Sequence, residues 1–300
     1  MTGLWNLIKR NCKLFFKDKG MFFSSLITPV ILLVLYATFL ASVYRDSFAS
    51  AMPEGFSIDA SLINATVAAQ LISSLLAVSC VTVAFCSNLL IVQDKITGAR
   101  RDITVSPVKR STLAVSYFCA SAATTLIISF AALAVCLVYL ANAGWYMSCA
   151  DVLCFALDVV LVTLFGVALS SCVNFPLTTQ GQMSAVGTIV SAGYGFLCGA
   201  YMPISNFSGG LQKILSFLPG TYGTSLIRNH LIGGSFAEMK KLGFPDEVLK
   251  GIRDSVDCNL YFFGNKVETG TMYVILCTGI AVLIGIYVLM NIISSRRHAK

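Results

Sequence analysis

Long apolar runs constrain this chain more than any other feature. Stretches of about 20 or more residues with almost no charge recur along its 300 positions. In lipid a backbone finds no water, so such a run must close its own hydrogen bonds as a helix. A transmembrane barrel would instead show alternating segments of about 10 residues, and none appear. Composition agrees: 56% of the residues are hydrophobic and 12% are charged, against about a quarter charged in a soluble domain. The expected fold is an all-α polytopic membrane protein with six transmembrane helices.

The runs place the spans at about 22–44, 65–92, 113–140, 152–173, 183–201 and 271–293. Residues 1–20 read as an N-terminal interfacial helix and 21–300 as the transmembrane domain. In the first segment Leu4, Ile8, Cys12, Phe15 and Phe16 share one helical face beside a stripe of Lys9, Lys13 and Lys17. That pattern suits the inner leaflet surface; the alternative is a simple basic flank to the first span. The apolar run that follows is too long for a signal peptide. Between 203 and 270 the chain is expected outside. Leu211–Leu218 and Tyr222–Ile232 are apolar but too short to span, which suggests re-entrant or interfacial helices punctuated by glycine and proline. Residues 236–268 are more polar. Within them Pro245 and two acids suit a helix start, and Val248, Leu249, Ile252 and Val256 make one apolar face, giving a small outer cap.

Orientation rests on Gln93–Thr112, QDKITGARRDITVSPVKRST, which holds five cations against two acids. A short loop with such a cation excess stays in the cytoplasm. Fixing it there places the N-terminal helix and the basic tail inside as well. Thirteen of the 21 cations and three of the 14 acids then lie inside, a balance of +10; the other 8 and 11 balance at −3. This asymmetry accounts for the net charge of +7 without a nucleic-acid partner.

Most of the eleven cysteines lie within apolar runs, where they pack as small polarizable side chains. Cys149 and Cys258 fall on outer segments and could pair. No CxxC or Cys/His ligand spacing occurs, so no metal site is expected. GxxxxGK[ST] is absent, so no phosphate-binding loop is expected either. No catalytic set is evident: the two histidines, His230 and His298, have no partner at ligand spacing and read as an outer-surface and a tail residue.

Asp158 is the acid deepest within a span. It either marks a functional path or bonds a neighbouring helix or outer water. Gly187, Ser191, Gly195 and Gly199 recur at four-residue spacing, the pattern that lets helix backbones approach closely within a bundle or dimer. Gln70, Asn88, Asp158, Thr188 and Tyr194 are candidates to border a substrate path.

The run QDKITGARRDITVSPVKRST resembles the loop between the second and third helices of the ABC type-2 permease family. Asp94, Gly98, Ser106, Pro107, Val108, Lys109 and Arg110 carry the match. FLPGTYGTSLIRNHLIG, Phe217–Gly233, is similar to that family's segment after the fifth helix. Members of the family are membrane subunits of ATP-driven exporters. The resemblance implies a cytoplasmic ATPase partner that binds the ATP, a second permease copy or paralogue, and a multi-pass subunit of the cell membrane with both termini cytoplasmic. It implies no cofactor in this chain. By the same resemblance Asp94, Gly98, Arg100, Arg101, Ser106, Pro107, Lys109 and Arg110 form the ATPase-coupling loop, and the segment before the sixth helix is a re-entrant pair. The cargo would be amphipathic: a drug, lipid, peptide or lipid-linked glycan. The rival reading is a self-sufficient secondary transporter, which would use broken helices and buried ionisable pairs.

Overall fold

The computed structural model describes residues 2–36, 38, 41, 42, 45, 59–106 and 108–297. Pro107, much of the second half of the expected first span, residues 46–58 and His298 lie outside the described residues. The order is α1 (Thr2–Lys17), α2 (Lys19–Leu35), α3 (Ala60–Asn88), α4 (Leu90–Ile96), α5 (Ala99–Val105), α6 (Arg110–Ala143), α7 (Cys149–Asn174), α8 (Gln180–Leu197), α9 (Gly209–Leu215), α10 (Pro219–Lys241), α11 (Asp246–Ser255), β1 (Leu260–Phe262), β2 (Asn265–Val267) and α12 (Thr269–Arg297). By length and apolar composition, four helical stretches among the described residues can cross a membrane: Ala60–Ile96, Arg110–Ala143, Cys149–Asn174 and Thr269–Arg296. The expected runs at 65–92, 113–140, 152–173 and 271–293 lie inside them. The α8 helix stops at Leu197, short of the expected 201.

The centre of the bundle is α3, whose most apolar stretch is wholly buried. It is rich in Ala, Ser and Thr, and α2, α6, α7 and α10 pack around it. Its closest neighbour is α7. A Cβ added at Gly166 would sit 2.9 Å from the Val81 Cα, so a glycine is what permits this crossing. Helix starts follow local chemistry. Asp18 caps α2 by accepting from the Met21 amide at 3.1 Å, and Ser148–Asp151 and Thr179–Gln182 form capping boxes on α7 and α8.

Residues 203–270 and their surroundings depart from the expected form in three ways. The Gly233–Gly234 pair does not end a helix: α10 runs through it as one 23-residue element. A Cβ at Gly234 would overlap the backbone of Tyr146, so the glycine lets α10 lie against the α6–α7 connection. An antiparallel hairpin pairs Leu260 with Val267, a small exception to the all-helical expectation. Cys149 and Cys258 are both free, the first exposed and the second buried, so no disulfide joins them. The apolar face of α11 does turn inward, burying Leu249 and Ile252 with Val256 just beyond.

Candidate functional site

The cation-rich stretch is not a solvated loop throughout. Its first part continues the α3 axis as α4 and carries Asp94 into the interior, where the side chain is only 6% exposed. There Arg10 of α1 grips the carboxylate with both guanidinium nitrogens, NH1 to Oδ2 at 2.5 Å and NH2 to Oδ1 at 3.0 Å. Tyr117 of α6 donates to Oδ2 at 2.5 Å. A two-pronged guanidinium–carboxylate pair fixes angle as well as distance. The Asp94 hydrogen bond and charge hold the Arg10 pKa above its ordinary value. Leu7 packs nearby on a small cluster built from Leu90, Ile91, Val92, Leu113 and Tyr117. Three elements are thus locked at one point: α1, α4 and α6. In α1 the buried face runs through Asn11 and Phe15, while Phe16, expected on that face, is exposed.

Lys95 works beside this lock. Its ammonium donates to the Phe175 carbonyl, and to the Leu177 carbonyl at 2.9 Å, tying α4 to the C-terminal end of α7. The chain then turns at Gly98, whose φ of 82° lies in the left-handed region that glycine adopts without penalty. The turn projects α5 outward. None of its residues is buried, and Val105 is 85% exposed. Arg100 and Arg101 stand on this helix. Ser106 ends it, and Lys109 and Arg110 begin α6, all three exposed. The geometry is that of a lever: an exposed, basic helical finger attached one turn from a buried three-helix lock.

A family model for ABC-2 family transporter protein matches residues 56–296. The chain belongs to this family. No curated protein matches it. Membership covers α3 to α12, including the lock acid and the finger; α1, which supplies Arg10, lies before the matched region.

The remaining residues singled out in this ABC-2 family member are scattered. A groove of about 960 Å³ opens between α2 and α8. Gly187, Thr188 and Ser191 line it, facing Ile27 and Ile31 across the gap. The other half of the small-residue stripe is closed. A Cβ at Gly195 would overlap the Tyr201 ring, and Gly199 adopts a left-handed φ of 71° just past the end of α8. Tyr194 is buried against Gly220 of α10. Gln70 is fully buried in α3, and Asn88 donates to Ser171 of α7 at 3.0 Å. Of the five path candidates, only Thr188 reaches the groove.

Asp158 is fully buried away from it. Its carboxylate lies 2.6 Å from His230 Nδ1 of α10 and accepts from Tyr273 Oη of α12 at 2.6 Å. His230 is therefore a partner in the bundle and not a surface residue. The sequence reading also missed Arg228. This buried side chain reaches Asp257 Oδ2 at 3.1 Å, the Gly199 carbonyl at 2.6 Å and Ser74 Oγ at 3.0 Å, joining α10, the end of α8 and α3. Asp257 completes the node by accepting from the Ile204 amide at 2.6 Å. The available signal was a lone arginine flanked by Leu226, Ile227, Leu231 and Ile232.

Proposed function

We propose that the chain is the transmembrane subunit of an ATP-driven exporter, with hydrolysis performed by a separate soluble ATPase. The observation that carries this reading is the Arg10–Asp94–Tyr117 lock behind the exposed α5 finger. A force on α5 or α1 from a closing ATPase would pass into α3 and α6 as rigid-body motion, because the lock sits where the three elements meet. In this reading six helices span, α2 and α8 being the two that complete the set, and both termini face the cytoplasm. The α9–α10 pair is re-entrant. The α2–α8 groove is apolar with a few hydroxyls, which suits an amphipathic cargo, and a second permease copy would close it into a pathway.

The test is affinity purification of the tagged full chain from its native membrane. A co-purifying ATPase whose hydrolysis responds to a transported compound supports the reading. Transport by the chain alone in proteoliposomes, driven by a proton gradient, would favour the secondary transporter. The buried Asp158–His230–Tyr273 cluster and the buried Arg228–Asp257 pair are the observations that recommend that rival.

A further inference from the structure

A second groove, of about 630 Å³, lies between the first turns of α6 and the last turns of α12. Its volume falls within the ~300–1,000 Å³ usual for small-ligand sites. Three cations stand around its mouth, Lys109 and Arg110 from α6 and Arg296 from α12, and no acid lines it. Among the described residues none of the three forms an ion pair. Ser111 and Ser295 add hydroxyls at the same level. Further in, the walls turn apolar. Val115, Val288 and Ile292 are each nearly half exposed along the groove. The floor is held in place: Tyr287 Oη donates to the Ala114 carbonyl at 3.2 Å, and the Phe118 and Tyr287 rings pack at 6.2 Å.

The order of these groups along the helices matches a membrane depth. The α6 helix has 34 residues and α12 has 29, so at about 1.5 Å per residue both exceed the ~30 Å hydrocarbon core. Their ends therefore reach headgroup level, and the apolar walls below them reach the acyl chains. We propose that this groove is a binding site for one anionic phospholipid, with its phosphate held by Lys109, Arg110 and Arg296 and an acyl chain laid along Val115, Val288 and Ile292. Basic pockets between transmembrane helices at the cytoplasmic surface recognise anionic headgroups in this way. Charge complementarity selects the occupant: a zwitterionic lipid brings the same phosphate together with a cation of its own, adding positive charge to a mouth that already holds three cations, and an apolar molecule would leave the mouth empty. The proposal needs only that this end of α6 and α12 lie at headgroup depth; Lys109 and Arg110 also belong to the expected coupling loop, but lipid retention by the isolated chain is read without an ATPase.

The experiment is native mass spectrometry of the full chain, released from micelles with phosphatidylglycerol or phosphatidylcholine of matched acyl chains. Phosphatidylglycerol should be retained in preference. K109Q/R110Q/R296Q should cut that preference by a factor on the order of 100, given about 1 kcal/mol per cation near an anionic surface. K9Q/K13Q/K17Q, which removes as many cations from α1, should leave it intact. Val288→Trp fills the groove without touching charge and should also reduce retention. Equal retention of the two lipids by the native chain would overturn the proposal. So would a triple variant that keeps the preference, since the three cations would then serve only orientation or a partner protein. Displacement of phosphatidylglycerol by inorganic phosphate alone, with Val288→Trp silent, would overturn the acyl part and reduce the site to an anion patch.

Discussion

At the scale of single residues, His230 is where a proton decides a contact. Burial disfavours its charged form, but the Asp158 hydrogen bond and charge outweigh burial, with Asp151 adding to them, and the pKa is raised above 6.5. Tyr273, from α12, is the other titratable group held by the same carboxylate. A histidine with a folded pKa above its unfolded value stabilises fully below the unfolded value. That contribution is lost as pH rises through the folded value. The melting temperature of the purified chain should therefore fall as pH climbs above about 6.5, and His230→Gln should flatten that fall. An unchanged slope in the variant would mean that His230 is neutral in the folded chain. Arg228 gives a larger effect. Arg228→Met leaves Asp257 buried without its cation, a change that typically costs about 3–5 kcal/mol. Arg228→Met with Asp257→Asn should recover part of the loss in denaturation of the micellar protein. Neither pairing was legible in the sequence. Asp158 and His230 are 72 positions apart, and Arg228 falls in an apolar piece too short to span, whose meeting point with the other helices its sequence does not give. Periodicity assigns a residue to a face; it does not say which distant face will meet it.

At the scale of elements, hydropathy reads which stretches are long apolar helices, because lipid leaves the backbone no other option. It reads less well where a helix is excused from a local rule. The Gly233–Gly234 pair costs about 1 kcal/mol per glycine relative to alanine, yet α10 continues through it because Gly234 lets the helix lie on the Tyr146 backbone. The small-residue stripe of α8 shows the reverse case. Four-residue spacing predicted one helix-packing surface, whereas the described chain divides it between an open groove and the chain's own Tyr201. Two substitutions separate these halves. Gly195→Leu meets the Tyr201 ring within the same protomer, so it should lower the melting temperature of the chain and its yield. Gly187 has open space around it, so Gly187→Leu should leave melting unchanged while narrowing the α2–α8 groove, and in the assembled transporter it should impair transport or pairing of two copies. If Gly187→Leu destabilises the isolated chain as much as Gly195→Leu, the groove is closed in the folded protein and is not a path.

At the scale of the whole molecule, the question is whether the basic finger transmits force or only sets orientation. Charge counting alone leads to an expected orientation, and the family resemblance implies the coupling role. What the sequence did not disclose is that Asp94 leaves the water and is gripped by Arg10 from 84 positions away. The two roles predict different outcomes for Arg100→Glu with Arg101→Glu. Arg101 is exposed and Arg100 half-buried on a helix without buried residues, so the change should largely spare the bundle, and the melting temperature of the isolated chain should hold. Each exposed ion pair is worth about 0–1 kcal/mol, so one neutralisation can be silent, while reversing two charges adds repulsion against an acidic partner surface. Cysteine labelling at Ser106 on a cysteine-free background must first show the finger still reached only from the cytoplasmic side, since removing cations there also weakens the orientation signal. With topology intact, the double reversal should weaken recovery of the ATPase or release its hydrolysis from transport. Tyr117→Phe offers the complementary break. It removes one charge-assisted hydrogen bond, about 1.5–3 kcal/mol, behind the finger without altering the finger's own surface. The ATPase should then still bind, but its hydrolysis should respond less to substrate. Binding lost in one variant and response lost in the other would place docking on α5 and transmission through the lock. If both variants keep binding, substrate-dependent hydrolysis and transport, then the cations only orient the chain and the lock only holds α1 in place.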